Sequence, residues 1–452
     1  MKKSFILCLF FIGIAWVILT QVPLPGLHKF APLAEAARPG YGSNYEIWSI
    51  DQANSLDGTV LGGNLYILSG DDQDFIEGRA KIDQINLAAN VVKNGFQPGS
   101  KPHWITFNKG GTHAIVGHAS SGHVYAIDAS KREVVDVVVP GGNSHAVSIS
   151  RDNTFVFAAD TPGEQIHKIY TNYAAAPGDI FGQVETLKFD DSTRQALGTK
   201  TARPVVAGID DTGRWVYVTF ADGGVAIVNA ETMTVAHVYS STEVTFNGLI
   251  TYQFGDNFIT NAGNANPEIA DFIYFYDHKS LLANPSERPA FLKVPQSGND
   301  VHSLEILDDK YLWQLNRAGN SITIHEIAPK VFDPNVEGSN KVRPVNIINL
   351  VSQDLGPDPT PDSIAKSPSQ KLIFFTQRGP SPLSANDPQF FNSVGIFPGV
   401  GIVQVKNDAQ DGKPAFLYRF DNVVNGVNIA DFHALSVREY SYKYQKQQTK
   451  RS

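Results

Sequence analysis

Apolar and polar positions along this chain alternate in short runs rather than recurring at helical spacing. The clearest stretch reads His103-Trp-Ile-Thr-Phe107, then Thr112-His-Ala-Ile-Val116, then His123-Val-Tyr-Ala-Ile-Asp128, then Glu133-Val-Val-Asp-Val-Val-Val139. Each run is rich in β-branched and aromatic residues and is bounded by Gly, Asp, Ser or Lys, the pattern of half-buried strands joined by tight turns. Four strands in this order make one unit.

The unit repeats. After His145 come Ala-Val-Ser-Ile-Ser150, a turn at Arg151-Asp-Asn153, Phe155-Val-Phe-Ala-Ala-Asp160 and Gln165-Ile-His-Lys-Ile-Tyr170. After Arg203 come Val205-Val-Ala-Gly-Ile-Asp210, a turn, Trp215-Val-Tyr-Val-Thr-Phe220, Gly224-Val-Ala-Ile-Val-Asn229 and Thr234-Val-Ala-His-Val-Tyr239. Further units open near Gly248, His302 and Ser363, which makes six internal copies. His433-Ala-Leu-Ser-Val437 reads as a first strand with nothing after it. Tyr45–Asp51, Leu65–Leu68 and Ala80–Asn86 read as the three strands missing from it. A repeat array closed by its own termini leaves no open sheet edge. The expected fold is all-β: a seven-bladed β-propeller whose N- and C-terminal strands share one blade. The stretches Asn172 to Phe189, Lys330 to Asp358 and Gly379 to Pro398 read as insertions between strands.

The Asp-x-x-Gly/Asn turns before Phe155–Asp160 and Trp215–Phe220 resemble those of YVTN-repeat propellers. That superfamily includes the propeller domains of nitrous oxide reductase and thiocyanate dehydrogenase and the haem domain of nitrite reductase, besides lactonases and binding proteins. The resemblance implies the fold and leaves the function open.

Composition narrows the setting. Met1-Lys2-Lys3, the apolar run Phe5 to Leu19 and Ala34-Glu35-Ala36 have the three parts of a secretory signal over residues 1–36. The expected organisation is then a signal at 1–36, one propeller domain at 37–440 and a basic tail at 441–452, with the product periplasmic or secreted. Retention of the first segment as an anchor is the alternative. Cys8 is the only cysteine, so the mature chain has no disulfide, thiolate metal site, cysteine nucleophile or Cys-x-x-Cys-His haem attachment. Loss of Lys2, Lys3, Lys29 and Glu35 makes a formal charge of -8 more negative still. An acidic surface argues against nucleic acid and anionic membrane as partners, and no membrane insertion is expected after cleavage.

Candidate chemistry lies in the histidines. His103, His145, His302 and His433 occupy the same repeat position, in Lys101-Pro-His, Asn143-Ser-His, Asp300-Val-His and Asp431-Phe-His. First strands line a propeller's channel, so side chains at that position from separate blades can converge on one mouth, with His302 facing the other three. His118 and His123 bracket a loop on the same face. Arg203, Asp362, Asn316, Arg317 and Arg378 are polar neighbours of the mouth. Neutral imidazoles suit copper, zinc, iron or nickel, and without cysteine and with one mature methionine, Met233, a blue-copper site is excluded. The resemblance favours copper; haem on one mouth histidine is a lesser alternative.

The expected ligands are His103, His145, His302 and His433, with His118 accessory and Arg203 and Arg378 anchoring a small anionic substrate. Catalytic residues are not assigned. The functional reading is an exported metal-binding propeller, an oxidoreductase in its enzymatic form, working with a small-molecule ligand or an envelope redox or protein partner. A non-catalytic protein- or ligand-binding propeller is the alternative, since a repeat ancestor carrying histidine would leave the same four residues. Asp71-Asp72-x-Asp74 and Asp190-Asp191 lack the spacing of a calcium loop and read as solvated turns.

Overall fold

The alternating runs fold as antiparallel strands in a computed structural model. It describes residues 44–53, 62–245, 248–264, 266, 268–328, 330–337, 341–383 and 393–439. The expected signal at 1–36 and the basic tail at 441–452 lie outside the described residues. Among the described residues, no helix is long and apolar enough to cross a membrane.

Seven four-stranded sheets form the blades of a β-propeller. Blade 1 joins the two ends of the chain: Phe432–Glu439 is its inner strand, followed outward by Tyr45–Asp51, Asn64–Gly70 and Lys81–Asn86. Tyr45 pairs with Glu439 and Trp48 with Ser436. The inner strands of blades 2 to 7 are Pro102–Phe107, Val147–Ile149, Pro204–Ile209, Thr251–Phe254, Val301–Leu307 and Pro361–Lys366. Each is followed in order by three more strands.

The core lies between the blades. Trp48, Ile50, Leu65 and Ile67 of blade 1 pack on Ile105, Val116, Tyr125 and Ile127 of blade 2. On the other side, Tyr45, Ile47 and Leu68 pack on Phe374, Val400, Ile402 and Tyr418 of blade 7. Closure therefore buries both faces of the terminal blade, which links ring integrity to hydrophobic burial at about 25 cal/mol per Å² of apolar surface.

Two of the expected insertions contain strands. Phe181–Lys188 is the outer strand of blade 3, and Val342–Asn349 is the outer strand of blade 6. An outer strand has water along one edge, so its sequence is polar enough to read as loop: Phe-Gly-Gln-Val-Glu-Thr-Leu-Lys in blade 3. The acidic pairs read as turns are helix caps. Asp71 accepts from the Asp74 amide before helix Asp72–Ile76, and Asp190 accepts from the Thr193 amide before helix Asp191–Leu197.

One irregularity recurs and matters most. Strand register shifts within the first residues of five inner strands: between Pro102 and Trp104, Pro204 and Val206, Val301 and Leu304, Pro361 and Ile364, and opposite Ser49 to Asp51 near Phe432. Each is a bulge spanning the second residue of the strand: His103, Val205, His302, Asp362 and His433. A bulge re-aims the side chain of its extra residue. The repeat thus carries a local backbone device at the position where the chemistry sits.

Candidate metal centre

His103, His302, Asp362 and His433 are second residues of the inner strands of blades 2, 6, 7 and 1. His145 precedes the inner strand of blade 3 by two residues. The structure brings these five side chains into contact along one arc of the ring. His103 Nε2 lies 3.2 Å from His145 Nε2. The rings of His103 and His433 stack with centroids 3.5 Å apart and planes inclined at 30°. His302 Nε2 lies 2.5 Å from Asp362 Oδ1, and His433 Nε2 lies 3.7 Å from the same oxygen. His302 joins the arc through Asp362, and its ring also acts on His145 of blade 3. At the equivalent position blade 4 carries Val205, which packs with Ala146, Val206 and Leu249 to form an apolar wall.

Hydrogen bonds fix the tautomers of three rings. His145 Nδ1 donates to the Val205 carbonyl at 3.0 Å, and His433 Nδ1 donates to the His103 carbonyl at 2.9 Å. His103 Nδ1 meets Gln52 Oε1 at 2.9 Å, and Gln52 Nε2 donates to Asp431 Oδ2 at 2.6 Å. A carboxylate only accepts, so the Gln52 amide nitrogen must face Asp431 and its oxygen must face His103. With Nδ1 carrying the proton, Nε2 of all three neutral rings presents a lone pair. Two lone pairs at 3.2 Å repel unless a proton or a cation lies between them.

Burial disfavours the charged form of His103, His145 and His433. Burial pushes His103 and His433 well below the usual histidine range, and neighbouring histidines and Arg378 add to the shift for both. Burial also takes His145 down to about 4. Burial raises the Asp362 carboxyl, but the charged forms of His302 and His433, with Arg378 and Arg317, outweigh it and hold the group well below the usual carboxylate range.

Behind the rings runs an alternating ladder of charge. Arg317 Nε donates to Asp300 at 2.6 Å and its Nη1 lies 3.4 Å from Asp362. Arg378 bonds Asp362 through Nη1 and Asp431 through Nε, the latter at 2.6 Å. All five side chains are buried. Three carboxylates and two guanidiniums alternate there, and the Lys101 ammonium interacts with Asp431 and Arg378 beside them.

His302, Asp362 and His433 have ligand atoms within 4.8 Å of one another, close enough to hold a metal ion. The contact between His302 Nε2 and Asp362 Oδ1 lacks hydrogen-bond alignment, and that oxygen has no hydrogen bond among the described residues. An acceptor left this way in a buried site has a lone pair open to a cation or a water.

The remaining expected site residues lie elsewhere. His118, at the end of the second strand of blade 2, packs on Tyr125 with centroids 4.1 Å apart and donates from Nδ1 to the His123 carbonyl. It is one strand out from the pore and outside the converging set. Arg203 is half-exposed and grips Asp222 through Nε and Nη2, beside a surface cleft of about 430 Å³. Arg378 is fully buried between Asp362 and Asp431. Each expected anion anchor already has its carboxylate. Asn316 bonds Ser321 and Thr323 of its own blade.

Gln52, Asp300 and Asp431 were not expected in the site. Asp300 and Asp431 had a legible signal, since each precedes a site histidine by two residues. Gln52 had none, because only the packing of blade 1 on blade 2 brings it to His103.

No family model matches the chain, and no curated protein matches it by sequence. Solved structures do match. A hypothetical selenium-binding protein from Sulfolobus tokodaii is similar over 89% of this chain and 96% of its own, with a TM-score of 0.60 and 12% identity. A periplasmic gluconolactonase from Pseudomonas aeruginosa is similar over 88% and 99%, with a TM-score of 0.55 and 12% identity. Hydrazine synthase from Kuenenia stuttgartiensis is similar over 77% and 93%, with a TM-score of 0.50 and 12% identity. At these identities the likeness carries the fold alone.

Gln52→Leu removes the acceptor that orients His103 and is expected to lower metal affinity about 10- to 100-fold, the usual effect of losing a partner that holds a ligand. Competition against a chelator of known affinity measures it; unchanged affinity would show that His103 is not a ligand.

Proposed function

We propose that this protein is an exported propeller that holds a transition metal, copper by preference, at the His-lined mouth of its channel. His302, His433 and Asp362 supply one set of donors, and His103 and His145 extend it. The observation that carries the reading is the convergence of the His302, Asp362 and His433 ligand atoms within 4.8 Å of one another, with His103 Nε2 3.2 Å from His145 Nε2 beside them. Imidazole with one carboxylate is a donor set for copper, iron, nickel or zinc, and the thiolate required by blue copper is absent from the residues named. A tetrapyrrole suits the site less well, since His103, His302 and His433 are all buried among neighbouring side chains.

Bound copper would supply one-electron chemistry, which fits an oxidoreductase working on a small molecule. The protein's own groups hold the donors: Gln52 and the Val205 and His103 carbonyls fix three rings, while Arg317 and Arg378 keep Asp362 ionised. His145 is the most accessible ring of the set, so solvent and ligand reach the centre past it, along the wall of Val205 and Leu249.

The test is metal analysis of purified protein after separate reconstitution with copper, zinc and iron. Stoichiometric copper retained through desalting supports the reading. Absence of all three metals would overturn it and leave a binding propeller.

A further inference from the structure

The ring position that carries the site is polar in every blade except 4 and 5, which hold Val205 and Leu249 there, between His145 and His302. Leu249 precedes the inner strand Thr251–Phe254 by two residues, as His145 precedes Val147–Ile149. Each aliphatic residue is tied to the histidine beside it. His145 Nδ1 donates to the Val205 carbonyl at 3.0 Å. On the other side Asn261, fully buried on the second strand of blade 5, bridges Leu249 to His302. Its Oδ1 accepts from the Leu249 and Ile250 amides at 3.0 Å each. Its Nδ2 donates to the Val301 carbonyl at 3.2 Å and to that of His302. Gly248 lets the chain reach this place: a Cβ there would lie 2.5 Å from Thr219 Cβ, and the Thr219 hydroxyl donates to the Gly248 carbonyl at 2.7 Å.

The wall around this pair is hydrocarbon. Val205 packs with Ala146 and Val206, and the half-buried Trp104, Ala221 and Leu249 complete the cluster. Arg203 and Arg378 already hold carboxylates. The mouth therefore sets nitrogen and oxygen donors on one side against apolar surface on the other, the arrangement by which a pocket orients a ligand with two unlike ends. We infer that Val205 and Leu249 form a subsite for a short alkyl group, so that the ligand of this centre is a small uncharged molecule with a donor atom at one end and hydrocarbon at the other. This rests on the metal reading above and names the class of ligand for it.

The full chain, loaded with copper and reduced to Cu⁺ by ascorbate, tests this by titration with methyl, ethyl and n-propyl isocyanide. These are uncharged ligands of Cu⁺ that differ only in chain length, and infrared absorption of the C≡N bond reads their binding. Each added methylene is expected to tighten binding about fourfold, the effect of moving one CH₂ from water to an apolar surface. Leu249→Asn puts an amide in the wall and is expected to remove that dependence while methyl isocyanide still binds. Val205→Thr keeps the shape, adds a hydroxyl and is expected to weaken the dependence. The wild-type series does not rely on either variant folding, and a thermal melt reports whether each does.

Copper retained, with an affinity that stays flat or falls from methyl to n-propyl, would overturn the apolar subsite and leave the metal reading standing. A chain-length dependence unchanged in both folded variants would overturn it as well, by placing the alkyl group elsewhere. No copper retained would end both.

Discussion

Arg378→Met is expected to lower the unfolding free energy by about 3–5 kcal/mol, the usual consequence of removing one partner from a buried ion pair. The side chain is fully buried and bonds two carboxylates, Asp362 and Asp431. Those carboxylates hold its guanidinium above its ordinary value against the penalty of burial. Methionine fills similar volume, so the cost is electrostatic rather than a cavity. Without Arg378, Asp431 keeps Gln52 Nε2 and the Leu383 amide as donors, and Asp362 keeps Arg317 at 3.4 Å. Arg317 at 3.4 Å from Asp362 and the partly buried Lys101 near Asp431 are then the cations left to two buried carboxylates. Urea or thermal unfolding of the metal-free protein measures the loss. A change below about 1 kcal/mol, the range of surface ion pairs, would show that the ladder is not the buried network described.

The second large effect couples metal, protons and stability. Saturating metal at about 1,000 times its dissociation constant is expected to stabilise the fold by about 4 kcal/mol near pH 7.5. The metal-free protein is expected to lose stability as pH falls from about 6.5 towards 4. The sign follows from linkage: His145 in the folded chain titrates at about 4, and His103 and His433 lie well below their usual range. The unfolded chain binds protons at these sites from about 6.5 downward while the folded chain refuses them, so acid favours unfolding. Protonation of the same nitrogens competes with metal, so the metal-induced gain shrinks over the same window. Unfolding measured at pH 7.5, 6 and 5, with and without Cu²⁺, checks both. His433→Gln should flatten the profile of the metal-free protein. A stability flat between pH 6.5 and 4 in the wild type would mean that these rings are solvated.

Much of the architecture was legible because a repeat reports itself. Four alternating runs between turn residues recur whatever their neighbours do, and the unmatched strand after His433 found its partners near Tyr45. The outer strands of blades 3 and 6 escaped notice because water along one edge removes the alternation by which strands are recognised. The four histidines were legible for the same reason as the fold: equivalent positions in a closed ring meet at its axis. Asp362 stood in the same register as a carboxylate and became the centre of the site.

The amino-acid order alone determined the all-β class, the blade count, closure by the two termini and the ring position that carries histidine, since each depends on local pattern and its period. Only the tertiary structure decided the rest. Bulges that turn His103, His302, Asp362 and His433 inward are properties of paired strands. The ladder from Asp300 to Asp431 crosses three blades, and Gln52 meets His103 only because blade 1 packs on blade 2. Charges and lone pairs act over a few ångströms of space, and residues hundreds of positions apart acquire that proximity from packing, which no short stretch of sequence encodes.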